Sequence, residues 1–209
     1  DDIHEVMKAI LHLLKNDGVF VFEVHYLLDL LEQYQYDMIY HDHMMYHSLA
    51  ALSYLMKLYD MKIFDVKRIP IHCGSIRVYV QKTGGPYAVD SRGSELLTLE
   101  KERGLDKENT FLDFGKKVYQ KRDDIKNLVQ SIKKEGKRII GYGASGRATV
   151  HLNFCDFGPE VIEYVIDASP ERYGRFVPGT RNPIYPPEKL KEDHPDYALL
   201  FAYNYLNEI

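Results

Sequence analysis

Cysteine is scarce in this chain. Cys73 and Cys155 are the only two, and no CxxC spacing joins either to a partner. Two lone thiols fit a reducing cytoplasm, where free cysteines serve as small buried residues. Long apolar runs are missing as well: AILHLL and GVFVF are far too short to span a bilayer. No basic n-region leads into an apolar h-region, so no secretory signal is visible. Charge of one sign is not in excess either. Lys and Arg total 27 against 31 Asp and Glu, a net charge of −4, with the signs mixed along the chain. That balance gives no broad basic field for nucleic acid. Internal repeats and low-complexity segments are absent. The expectation is a cytoplasmic protein with neither a membrane nor a nucleic acid as partner.

What is present is ordinary for a globular protein: 209 residues, 45% hydrophobic and 28% charged, enough for one large domain or two small ones with real cores. DDIHEVMKAILHLLKNDG carries apolar residues at Ile3, Val6, Met7, Ile10, Leu13 and Leu14 and stops at Asn16-Asp17-Gly18, which predicts a helix. GVFVFEV (18–24) reads as a buried strand and 26–33 as helical. Leu49, Leu52, Leu55, Met56 and Tyr59 form a helical stripe. MKIFDVKRIP (61–70) and SIRVYVQKT (75–83) alternate like strands and predict an antiparallel hairpin. GGPYAVDSRGS (84–94) marks a boundary, and 94–135 is helical in pattern with a break near Leu105-Asp106. From Lys137, KRIIGYG, ASGRATVHLNFC, VIEYVID and YALLFAY alternate strand and helix, as in a small Rossmann-like domain with a parallel sheet. Both ends of the chain read as cuts through a longer protein.

Two stretches carry chemistry. Gly141, Gly143 and Gly146 spell GxGxxG between a strand and a helix, with Asp167 at the end of the next strand. Such a loop lets phosphate approach helix N-terminal N–H groups, and an acidic residue there can take ribose hydroxyls. Arg147 adds a guanidinium suited to phosphate. The alternative is that the glycines only allow tight strand–helix packing. The second stretch, IYHDHMMYHSL (39–49), gathers His41, His43 and His47 with Asp42. Those residues suit a three-histidine metal site, a catalytic base with helpers, or a polar loop, and spacing alone does not choose.

Five segments together resemble the SAM-dependent C-methyltransferases of nucleotide-linked deoxysugars. They are YDMIYHDHMMYHSLAAL (36–52), PIHCGSIRVYV (70–80), YGASGRATVHLNFC (142–155), DASPERYGRFVPG (167–179) and PDYALLFAYN (195–204). The resemblance implies an α/β chain: the back half of a class I methyltransferase sheet with its antiparallel hairpin (1–83), a helical linker (84–136), and a Rossmann-like sugar-nucleotide domain (137–209) truncated at its end. It implies S-adenosylmethionine as cofactor and an NDP-linked 4-keto deoxyhexose as small-molecule partner. The Gly-rich loop for that cofactor has no counterpart here, so the chain alone is expected neither to bind it well nor to turn over. By the same resemblance His43 is the base that removes the proton beside the ketone, Tyr40 hydrogen-bonds the sugar or its enolate oxygen, and Asp42 stands where relatives have Glu. Gly143, Ser145, Arg147, Asn153, His72, Arg77 and Asn204 fall at matched positions and are the expected substrate contacts. No metal is expected. Two other readings remain: an NAD(P)-dependent oxidoreductase and a non-catalytic nucleotide-binding module.

Overall fold

The computed structural model describes residues 2–203 and Leu206. The chain is α/β, with one antiparallel and one separate parallel sheet, and it divides into two compact units. The first comprises Asp1–Gln33 and Met45–Phe114, the second Tyr34–Met44 and Gly115–Ile209.

In the first unit, α1 (Ile3–Leu13) starts at Asp2, whose carboxylate accepts the His4 N–H at 2.8 Å. This is the capping that a free helix N-terminus requires. It leads to β1 (Phe20–His25), α2 (Leu27–Glu32), α3 (Leu49–Leu58), β2 (Met61–Ile69), β3 (Ser75–Lys82) and α4 (Ser91–Glu102). The order in the sheet is β1-β3-β2, antiparallel throughout. The expected hairpin is therefore β2–β3, and its buried face carries Val66, Ile76, Val78 and Val80 against Leu49, Leu52 and Met56 of α3. β1 is half-buried in alternation rather than enclosed on both faces, as an antiparallel sheet with one wet side allows.

α4 lies in the segment expected to be a linker, yet Leu96 and Leu99 pack on this first core. The buried Glu100 carboxylate accepts the Leu49 and Ala50 N–H groups at 2.5 and 3.0 Å. A charge at the α3 N-terminus satisfies donors that the helix cannot.

The second unit holds most of α5 (Glu108–Lys134), then β4 (Ile139–Tyr142), α6 (Gly146–Cys155), β5 (Val165–Ile166), β6 (Ile184–Tyr185), α7 (Lys189–Asp193) and β7 (Tyr197–Leu200). Its four strands run in the order β6-β5-β4-β7, every pair parallel. β5 is much shorter than VIEYVID suggests. Val161 and Ile162 turn on the Gly158 carbonyl, so their apolar side chains reach the core from a turn rather than a strand. Among the described residues no helix is long and apolar enough to cross a membrane.

Candidate active site

The segment Tyr34–Met44 belongs with the second unit, and its first turn explains why. Tyr36–Met38 form a 3-10 turn whose three residues are all buried. Asp37, only 2% exposed, accepts the Arg147 Nε–H at 2.5 Å. His151 Nε2 lies 3.5 Å from the same oxygen, and the Tyr203 hydroxyl donates to the other at 3.4 Å. Tyr36 Oη meets His151 Nδ1 at 2.6 Å, and the Arg147 guanidinium lies 3.9 Å over the Tyr203 ring. Burial raises the Asp37 carboxyl, but His151 and Arg147 outweigh it and hold the group below the usual carboxylate range.

Beyond this turn the chain presents Tyr40 and His43. Their rings lie 4.6 Å apart, and both residues are half-buried. His43 Nδ1 stands 2.8 Å from the Met38 carbonyl oxygen. A carbonyl only accepts, so Nδ1 carries the proton and Nε2 the lone pair. The Tyr40 ring also rests on Gly146, where an added Cβ would come within 3.1 Å of it. Asp42 takes no part in this grouping. Its carboxylate lies 3.2 Å from His41 Nε2, with both side chains in solvent. His47 falls in the first unit. Among the described residues no three His, Cys, Asp or Glu side chains gather as metal ligands.

The glycine loop is built by packing. Gly143 has φ +91°, and a Cβ there would press on Ala202. The Asp167 carboxylate accepts the Ala144 and Ser169 N–H groups at 2.7 and 2.8 Å and pairs with Arg172 at 2.8 Å. Burial raises this carboxyl, yet the Ser169 N–H, Arg172 and Ala144 hold it below its ordinary value. An acidic residue so engaged is turned into its own loop, not toward a ribose. Arg147, expected at a phosphate, pairs with Asp37 instead. Ser145 sits at the N-cap of α6 without a capping hydrogen bond, and its Oγ is buried with no hydrogen-bond partner among the described residues. Asn153 Nδ2 donates to the Thr149 and Pro178 carbonyls at 2.8 and 2.9 Å, tying α6 to the 177–179 turn. Asn204 lies outside the described residues.

His72 and Arg77 belong to the first unit. His72 is exposed, with φ +52°, and its carbonyl accepts from His25 Nε2 at 2.7 Å. Arg77 pairs across the sheet with Glu23 at 2.6 Å. A cleft of about 410 Å³ in this unit is lined by Asp29, Arg68, Cys73 and Gly74. In the second unit an apolar cavity of about 150 Å³ reaches His151, Phe201 and Tyr203.

Asp37, His151 and Tyr203 are not among the residues that the sequence singles out for these contacts. Tyr36 and Asp37 stood inside the same motif as the histidines, so the signal was there. Their partner α6 lies more than a hundred residues on.

Residues 70–209 match the family model described as the C-methyltransferase C-terminal domain. The chain belongs to the C-methyltransferase family. It is 36% identical over 208 residues to C-methyltransferase NovU of Streptomyces niveus, covering all of this chain and half of that protein. The chain thus spans about half the length of this curated relative. Methyltransferases of this kind generally draw their methyl group from S-adenosylmethionine.

Proposed function

We propose that this chain carries the deprotonating half of a C-methylation, with His43 as the base and a nucleotide-linked 4-keto deoxysugar as substrate. A C–H beside a ketone is acidic enough for imidazole because the electron pair left behind delocalises onto oxygen as an enolate. The C–H bond breaks, its proton passes to Nε2, and the enolate carbon becomes the nucleophile for an incoming methyl group. S-adenosylmethionine supplies that methyl as an electrophile when bound. The observation that supports the reading is the Met38 carbonyl, which holds the proton on Nδ1 and leaves Nε2 the basic atom. Tyr40, its ring tilted beside the imidazole, is the proposed donor to the sugar or its enolate oxygen. Asp42 supports the reading least, since its carboxylate faces exposed His41. A dinucleotide oxidoreductase is not favoured, because Asp167 is spent on its own loop.

The test is solvent deuterium exchange into a dTDP-linked 4-ketohexose by the full-length polypeptide. His43→Ala should slow exchange by about 10²–10⁴-fold, the usual worth of a positioned base, and leave sugar-nucleotide affinity unchanged. Exchange at the wild-type rate in that variant removes His43 from the mechanism. The chain alone should show no tight binding of S-adenosylmethionine in calorimetry.

A further inference from the structure

We propose that the Asp37–Arg147 pair is the positioning device of the base, acting through the Met38 carbonyl; this rests on His43 having the role just assigned. The link is continuous. Arg147, in the first turn of α6, donates to Asp37 at 2.5 Å. Asp37 is the middle residue of the 3-10 turn that ends at Met38. The Met38 carbonyl then accepts the Nδ1–H of His43 at 2.8 Å. Gly146, the neighbour of Arg147, meanwhile supplies the surface on which the Tyr40 ring lies. One end of one helix therefore fixes both side chains of the proposed chemistry.

The pair is shut away from solvent. Arg147 is 8% exposed and Asp37 2% exposed, and Asp37 already faces Arg147, His151 and Tyr203. Neither offers a solvated charge to a phosphate. Burying two opposite charges seldom adds net stability over a well-packed apolar pair, because desolvation cancels most of their attraction. What such a pair does supply is a single geometry, since only one turn conformation keeps both charges matched. A base whose tautomer is set by a backbone carbonyl needs that carbonyl in one place. Asp37 and Arg147 are thus positioning residues, with no contact to the substrate.

The test uses the full-length polypeptide and the same exchange reaction, with affinity for the dTDP-linked 4-ketohexose measured separately. The double variant Asp37→Asn with Arg147→Gln removes both charges and strands neither. It should lower exchange at saturating sugar by about 10–100-fold, the loss expected when a reacting group is displaced by roughly 1 Å, with affinity unchanged. Asp37→Glu keeps the charge but lengthens the side chain, so it should fold even if the double variant does not, and show the same split. Wild-type exchange in Asp37→Glu overturns the positioning role, whatever the double variant does. Parallel loss of affinity and rate also overturns it, and returns Arg147 to the ligand. If His43→Ala exchanges normally, the base assignment fails and this proposal with it. If His43→Ala is inactive while Asp37→Glu is normal, only the positioning role is lost.

Discussion

Two motifs shared with the C-methyltransferases are used in opposite ways. The stretch 36–44 spends its first polar residue inward, on a buried ion pair and a hydrogen-bonded His151, and then presents Tyr40 and His43 half-buried. The stretch 70–80 turns its polar groups to its own connection and to the neighbouring β1. The His72 carbonyl meets His25, Ser75 Oγ donates to the Ile71 carbonyl at 3.0 Å, and Arg77 meets Glu23. A segment can serve through its side chains or through the backbone of a turn, and these two segments separate the cases. The first holds the proposed base by its neighbours; the second is a strained connection held by a glycine.

Gly74 is where that distinction should show most strongly. Its φ of +129° follows two residues already at positive φ, His72 at +52° and Cys73 at +65°. A Cβ there would collide with the Asp29 side chain. Asp29 cannot step aside cheaply, because its carboxylate is gripped by the Arg68 guanidinium. Gly74→Ala should therefore destabilise the first unit by about 3 kcal/mol or more, the upper end of what a backbone outlier costs. Chemical denaturation should register the loss, and hydrogen exchange should locate it in β3. A variant as stable as the wild type would mean that the connection is not strained.

Acid should separate the two units next, by a smaller margin. Burial lowers the pKa of His47 in the first unit, so the folded form binds fewer protons than the unfolded chain does. Its contribution to stability is complete above about pH 6.5, the ordinary imidazole value, and fades as pH falls through the lowered one. Asp37 in the second unit has the same sign over a lower window. Its carboxylate is held down, against burial, by His151 and Arg147. Its contribution is complete above about pH 4 and is lost only below. On acidification the Val78 amide, buried in β3, should lose protection relative to its intrinsic exchange rate before the Ile140 amide, buried in β4. His47→Gln should remove the upper step. If Ile140 loses protection first, the buried network does not stabilise the second unit as described.

Much of the fold was readable from the chain itself, because its signals are local. The stop at Asn16-Asp17-Gly18, the alternation of 61–83 and the break before α5 each depend on residues within a few positions of one another. β6 was missed, since two residues, Ile184 and Tyr185, are too few to show any period. α4 looked like a charged linker because the burial of Glu100 reflects a distant helix start, not its own neighbours. The proposed site is half legible for the same reason. The motif points to His43 and Tyr40, and the glycine loop suggests phosphate for Arg147 while saying nothing of Asp37. That carboxylate is 110 residues away from Arg147, and no spacing rule connects it to α6.

The smallest effect should come from Arg77, and it matters because of its smallness. Arg77 shares a motif with Gly74 and lay among the expected substrate contacts. Its guanidinium is paired to Glu23 on the neighbouring strand, with both side chains about a third exposed. A pair so wetted is screened by water and salt and holds little stability. Arg77→Gln should leave sugar-nucleotide affinity unchanged and shift the melting temperature only slightly, less at high salt than at low. A marked fall in affinity, undiminished by salt, would mean that Arg77 leaves Glu23 for the ligand, and the 70–80 segment would then belong with the chemistry rather than with the scaffold.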